Sequence, residues 1–188
     1  MVELAHAAPE PASLAAHRST APHGPWFTLP PATRAEVRQQ LNAEQDGLCI
    51  YCEASLDPGA GHLEHIKCRD ENEHLMFVYD NLAHCCNETS HCGHFKDNNV
   101  IPLGPRPGVN RHFVLSEITG QLSPDLLLSL AEQQDATTTL NVLGLNNHPG
   151  LTRQRQQYAF TVRALSDPAD IADFLTTAPF RWSLRRIF

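Results

Sequence analysis

The sequence lacks any apolar run long enough to cross a lipid bilayer, which takes about 20 residues. It also lacks a positively charged leader followed by an apolar stretch near Met1, so we expect a cytoplasmic protein without membrane contact. Neither a Walker loop nor a dinucleotide-binding fingerprint is present, and no His-Glu-x-x-His pair indicates a helical zinc hydrolase. Other classes of enzyme, and binding modules, are left as candidates.

Basic residues are also scarce. The 188 residues include 14 Lys and Arg against 21 Asp and Glu, for a net charge of −7. From residue 49 to residue 105, only Lys67, Arg69 and Lys96 are basic. Attraction for phosphate groups must therefore come from a bound cation, another surface or a partner. Ordinary surface solvation is the commoner role for scattered arginines, but the C-terminal candidates for such a surface are Arg153, Arg155, Arg163, Arg181, Arg185 and Arg186.

Cysteine and histidine, in contrast, are concentrated in one stretch of the chain. All six cysteines and six of the eleven histidines lie between Cys49 and His94. Because thiols stay reduced in the cytoplasm, paired cysteines there are more often metal ligands than disulfides. The pairs Cys49-x-x-Cys52 and Cys86-x5-Cys92 predict one tetrahedral, structural Zn²⁺ site.

The run from His62 to His65, between these pairs, suits the hydrolysis of a phosphodiester. A histidine with a pKa near neutral can take a proton from the attacking water, and a divalent cation can stabilise the leaving side. His65 can be this base, and Glu64 can bind the cation. A second ligand must come from a later element, and His94 would be held in place by the nearby Cys92. His62 lies on the same strand face as Glu64, so contact with the cation is one alternative for it, but we expect a solvent-facing or hydrogen-bonded role.

The order of these residues resembles that of the HNH endonuclease family. The resemblance implies a zinc-braced ββα-metal core, in which a hairpin and a helix hold one catalytic cation. It implies that His65 is the general base, that Glu64 and His94 bind Mg²⁺ or Mn²⁺, and that Asn81 braces a loop that orients His65. The matching residues are Glu64-His65, Asn81-Leu82, Cys86 and Cys92-x-His94.

The same resemblance leaves two alternatives open. Its spacing favours Cys86 over Cys85 as the fourth zinc ligand. The chain departs from the family's pattern by having Glu64 where many members have aspartate and by an inserted Gly93, so His91 competes with His94 for the third position of the site. Lys96 either contacts a phosphate of the substrate or is an ordinary solvated lysine.

A closer resemblance, to the PtuB-type HNH nucleases of bacterial Septu and related retron systems, extends over most of the chain. It implies an effector of anti-phage defence that acts on nucleic acid, DNA or RNA, together with an ABC-like ATPase subunit of PtuA type. The alternative is a catalytically silent zinc module that mediates assembly. The matching phrases are Glu44-Gln45-x-Gly47-x-Cys49-x-Tyr51-Cys52-Glu53, Glu64-His65-Ile66-Lys67, Cys92-Gly93-His94-Phe95-Lys96, and Leu143-Gly144-Leu145-Asn146 followed by Leu151-x-x-x-Arg155.

The predicted fold class is α+β, in three parts. Residues 1–30, rich in Ala, Pro and His, form an N-terminal arm that is either disordered or docked through Trp26 and Phe27. Residues 31–105 form the nuclease core with its zinc knuckles. Residues 106–188 form a small hairpin and a mainly helical extension. The predicted helix starts are the capping box Thr33-x-x-Glu36, Ser123-Pro124, Asp135 and Asp167-Pro168. The predicted helix stops are Gly47 and Gly144.

Overall fold

The chain combines seven α-helices with two antiparallel two-stranded sheets, which confirms the predicted α+β class. The computed structural model describes residues 1–188. None of its helices is both long enough and apolar enough to cross a membrane. The elements in chain order are α1 (Ala12–Thr20), α2 (Pro31–Glu44), β1 (His62–His65), β2 (Leu82–Cys85), α3 (Cys92–Lys96), β3 (Phe113–Leu115), β4 (Leu122–Pro124), α4 (Leu130–Val142), α5 (Pro149–Ala164), α6 (Pro168–Thr177) and α7 (Arg181–Leu184).

The hairpin of β1 and β2 occupies the centre of the fold. His62 pairs with Cys85 and His65 with Leu82. All four residues of β2 are buried, because successive side chains of a strand point to opposite faces and both faces of β2 are covered. Leu82 belongs to a small apolar cluster on one side, while Ala83 and Cys85 belong to the large cluster that forms the main core. The order β1, β2, α3 agrees with the expected strand, strand, helix arrangement.

The N-terminal arm is docked. Leu14 of α1 and Leu29 are fully buried in the small cluster, against side chains of α2, β2 and the segment between β1 and β2. The Trp26 ring stacks on Phe77, with 5.8 Å between ring centroids. Phe27, in contrast, is 77% exposed, so docking uses only one of the two predicted aromatic anchors. The three-part division of the chain stays a prediction.

The start of α2 differs from the prediction. Thr33 lies inside the helix, which begins two residues earlier, and no side chain caps it. Pro31 is at the first helical position, where its missing N–H costs nothing and its fixed φ suits a helix. The predicted stop is confirmed: Gly47 has a φ of 72°, and its N–H donates to the carbonyl of Asn42.

The predicted hairpin after residue 112 is present as β3 and β4, in which Leu115 pairs with Leu122. Gly120 in its turn has a φ of 67°, and a Cβ there would lie 1.8 Å from the carbonyl oxygen of Thr152, so only glycine fits. Ser123-Pro124, predicted to open a helix, is instead the end of β4. Proline is tolerated there because a two-stranded sheet leaves donors on its outer edges unpaired.

The C-terminal helices follow the predicted pattern with one displaced start. Asp135 lies inside α4, which begins at a capping box formed by Ser129 and Glu132. Gly144, just after α4, has the left-handed conformation expected of a stop, with a φ of 59°. Asp167 caps α6 as predicted, by accepting a hydrogen bond from the N–H of Ala169.

We predict that Leu14→Ala destabilises the protein by roughly 2–5 kcal/mol, because the fully buried side chain leaves a cavity between the arm and the body. The matched control is Leu127→Ala, whose side chain is 95% exposed and whose loss should change stability by less than about 0.5 kcal/mol. Urea unfolding of both variants measures the difference. Equal free energies of unfolding would contradict the docking of the arm.

Candidate active site and zinc centre

Four cysteine sulfurs converge from three segments of the chain. Cys49 and Cys52 come from the turn after α2, Cys86 follows β2, and Cys92 begins α3. Their Sγ atoms all lie within 4.8 Å of one another. The structure therefore brings together the four cysteines that the sequence predicted. Cys85 packs beside them, with its Sγ 3.8 Å from that of Cys49.

The geometry of these four sulfurs fits a metal ion such as zinc. Sulfurs about 2.3 Å from a tetrahedral zinc lie roughly 3.8 Å apart, and the Sγ atoms of Cys49 and Cys92 are 3.8 Å apart. The N–H of Cys86 donates to the Sγ of Cys49 at 3.4 Å. Burial, and then the neighbouring sulfurs, raise the pKa of the Cys92 thiol well above its usual range. A bound cation would supply the positive charge that ionised sulfurs need.

Arg155 gives a second indication that this cluster is anionic. Its guanidinium is buried, its Nη1 donates to the carbonyl of Leu145, and its Nη2 has no hydrogen-bond partner. No carboxylate forms a salt bridge with it, which is costly for a buried charge. Burial lowers the pKa of Arg155, and the nearby groups that oppose this shift are Cys52, Glu53 and Cys92. Thiolates bound to a metal would balance this charge.

His65 has one ring nitrogen committed and one available. Its Nε2 lies 2.9 Å from the carbonyl oxygen of Met76, which can only accept, so Nε2 carries the hydrogen and the neutral ring has its lone pair on Nδ1. The ring meets Trp26 edge to face, with centroids 4.5 Å apart. Burial lowers the pKa of His65 to about 4, below the near-neutral value expected of the base, so the ring is neutral at pH 7. A neutral imidazole with a fixed tautomer is suited to accept a proton.

Glu64 is buried among polar partners. Its Oε1 is 3.0 Å from the Nζ of Lys96 and accepts a hydrogen bond from the hydroxyl of Tyr51 at 3.3 Å. Its Oε2 is 3.3 Å from the Nε2 of His62. Burial raises the pKa of Glu64, but the hydrogen bond with His62 and the charge of Lys96 outweigh it, so the pKa lies below its usual range. The carboxylate is therefore ionised and available to a cation.

His94 lies in the same pocket as Glu64 and His65, whereas its competitor does not. The His94 ring is exposed and 4.2 Å from the ring of His62, which also contacts Glu64. The four cysteines are the only set of three or more potential ligands whose donor atoms all lie within 4.8 Å, so His94 would have to turn to share an ion with both Glu64 and His62. His91 lines a different pocket, next to His148.

Asn81 braces the loop after β1. Its Oδ1 accepts from the N–H of Lys67 at 2.9 Å, and its Nδ2 donates to the carbonyl of Lys67 at 3.1 Å. The N–H of Ile66 donates to the carbonyl of Asn81. The side chain of Asn81 therefore acts on the backbone next to His65, while the imidazole itself donates a hydrogen bond to the carbonyl of Met76.

Several features of the pocket were not predicted. Lys96 is not a solvated surface residue: it is buried and paired with Glu64. Gly93 is required by close packing, because a Cβ there would lie 2.4 Å from the Oε2 of Glu64. Trp26 of the arm forms one wall. The pocket has a volume of about 330 Å³, and Arg69 is a further cationic residue in its lining.

The C-terminal arginines differ in burial and in their partners. Arg155 and Arg181 are buried, and Arg181 pairs with Asp46 at 2.7 Å. Arg163 pairs with Glu117 and Arg186 with Asp125. A phosphate-facing role is therefore wrong for Arg155 and Arg181 and stays a prediction for the four exposed arginines.

Comparison with known proteins finds one informative relative. No protein-family model matches the chain. A protein of Vibrio cholerae serotype O1 biovar El Tor, named "Retron Vc95 putative HNH endonuclease", is similar to it. The two are 34% identical over an alignment 129 residues long, and the alignment covers 64% of this chain and 62% of the relative. The chain thus spans less than two thirds of the length of this relative. The likeness supports the expected HNH and retron relationships.

We predict that Cys86→Ala lowers the zinc content of the purified protein and its thermal midpoint, because a structural zinc site loses one of four ligands. Cys85→Ala is the matched control, since it removes the neighbouring sulfur that lies outside the set of four. Metal analysis by mass spectrometry and thermal unfolding measure both effects. Loss of zinc from Cys85→Ala with retention in Cys86→Ala would reverse the assignment.

Proposed function

We propose that the chain is a metal-dependent HNH endonuclease that hydrolyses phosphodiester bonds of nucleic acid, DNA or RNA. The observation that carries the proposal is the state of His65: a neutral imidazole with Nε2 held by the Met76 carbonyl, in one pocket with Glu64 and His94. A zinc scaffold needs the cysteines, but it has no need of this arrangement. The resemblance to HNH nucleases and the retron-named relative support the same reaction class.

His65 is the general base in this proposal. Its Nδ1 takes a proton from the attacking water, while the hydrogen bond from Nε2 to Met76 keeps the ring in the tautomer that can do so. Asn81 contributes through the backbone, by holding Lys67 and hence the end of β1. Trp26 covers the ring and limits its rotation.

Glu64 and His94 are the proposed ligands of the catalytic cation, Mg²⁺ or Mn²⁺. When bound, such an ion stabilises the charge that develops on the phosphoryl and leaving oxygens. The residues fit this role because Glu64 is ionised and both side chains line one pocket. Cys49, Cys52, Cys86 and Cys92 would hold the structural Zn²⁺ that fixes α3, and with it His94, next to β1.

We further propose that the protein is an effector of anti-phage defence, of the PtuB type known from Septu and retron systems, acting with an ABC-like ATPase of PtuA type. The relative's name supports a retron context. The scarcity of basic residues from residue 49 to residue 105 supports a partner that supplies affinity for nucleic acid.

We predict that His65→Ala lowers the cutting rate by about 10²–10⁴-fold and leaves the zinc content unchanged, because a general base is lost without a zinc ligand. The assay offers plasmid, single-stranded DNA and RNA with Mg²⁺ or Mn²⁺, with and without the ATPase. His74→Ala, at an exposed histidine outside the pocket, is the control and should cut like wild type.

Cutting by His65→Ala at the wild-type rate would remove His65 from its role. If the wild type binds zinc but cuts none of these substrates under any condition, the alternative of a silent zinc-binding assembly module is favoured instead.

A further inference from the structure

The two carboxylate oxygens of Glu64 have different surroundings. Oε1 is bound on one side by the ammonium of Lys96 and the hydroxyl of Tyr51, both of which belong to buried residues. Oε2 faces only the imidazole of His62, at 3.3 Å. The positive charge and the donors that the chain itself supplies are therefore concentrated on one oxygen, and the other oxygen is turned toward a histidine.

His62 is oriented like a histidine that binds a metal. Its Nδ1 lies 3.2 Å from the Oδ1 of Asn87, an acceptor, so Nδ1 carries a hydrogen and Nε2 is the ring atom that is turned toward Glu64. Metal-binding histidines typically donate their other N–H to such an oxygen. Either a proton on Nε2 or a bound cation can bridge Nε2 and the Oε2 of Glu64, which are 3.3 Å apart.

The spacing and the local backbone also fit a cation. Two ligand atoms that each lie about 2.1 Å from one ion, at an angle between octahedral and tetrahedral, are roughly 3.0–3.4 Å apart, and the observed separation is 3.3 Å. Gly93 keeps this side open: a Cβ there would lie 2.4 Å from the Oε2 of Glu64 and 2.9 Å from the Nε2 of His62. The next residue, His94, has its ring 4.2 Å from that of His62.

We infer that His62 is a ligand of the catalytic divalent cation, which binds on the Oε2 side of Glu64, with Lys96 and Tyr51 holding Oε1 and His94 turning in as the third protein ligand. This inference rests on the proposed function, because it assigns a residue to the same cation. Asn87 is then a positioning residue that sets the tautomer of His62. A direct contribution of His62 distinguishes this chain's site from one built on Glu64 and His94 alone.

The test measures Mn²⁺ binding to zinc-loaded protein in a His65→Ala background, so that no turnover interferes. Titration calorimetry should show at least a tenfold weaker affinity for His62→Ala, and Asn87→Ala should be about 10-fold weaker through the altered tautomer. His74→Ala replaces an exposed histidine that should not contact the ion, so it should change the affinity by less than about twofold.

Electron paramagnetic resonance of the bound Mn²⁺ gives a second readout, because nitrogen ligands produce hyperfine couplings. The background protein should show coupling to two histidines, and His62→Ala and His94→Ala should each show coupling to one. Zinc content and circular dichroism establish that each variant is folded. If His62→Ala does not fold, Asn87→Ala, which changes an exposed residue, still tests the inference through its affinity for Mn²⁺. The inference is overturned if His62→Ala leaves both the affinity and the couplings unchanged. Where His62→Ala is unfolded, it is overturned if Asn87→Ala leaves the affinity unchanged.

The two proposals can fail separately. If the chain cuts nucleic acid and His62→Ala binds Mn²⁺ like its parent, only the role of His62 is wrong. If Mn²⁺ binding depends on His62 but no nucleic acid is cut under any condition, the cation site stands and the nuclease assignment fails.

Discussion

The convergence of four cysteine sulfurs is the constraint on which the rest of the site depends. A helix of five residues such as α3 is too short to be stable alone. Cys92 at its start has a φ of 65°, a conformation that an L residue rarely adopts. Anchoring its sulfur to the turn after α2 and to the end of β2 holds α3 against β1. The positions of Gly93, His94 and Lys96 follow from that anchor.

The surroundings of His65 and Glu64, the two central residues of the pocket, favour different charge states. His65 is buried against an aromatic ring with one hydrogen bond, so its neutral form is favoured. Its neighbour Glu64 is equally buried but has a lysine and polar donors around it, so its charged form is favoured. The pKa values of both residues are lowered, so two consecutive positions of β1, which face different surroundings, present a neutral imidazole and a charged carboxylate within one small pocket.

The sequence was informative where the signal is local or depends on ligand spacing. The cysteine set, the strand that carries Glu64 and His65, the hairpin after residue 112 and the stop at Gly47 could all be predicted in this way. Features that depend on distant parts of the chain could not. Whether Trp26 docks depends on Phe77, 51 positions further along (77 − 26 = 51). Lys96 is buried only because Glu64 lies opposite it, and lysine is otherwise a surface residue.

The burial of β2 on both faces has a consequence for how the chain tolerates changes in length. Leu82 is packed into one apolar cluster and Ala83 and Cys85 into another, so a residue inserted within this strand would exchange the two faces and turn the cysteine end away from its partners. The connection between the strands is different, because residues 69–74 are largely exposed. Insertions and deletions are therefore expected to accumulate in that connection, while the number of residues within β2 stays constant among relatives.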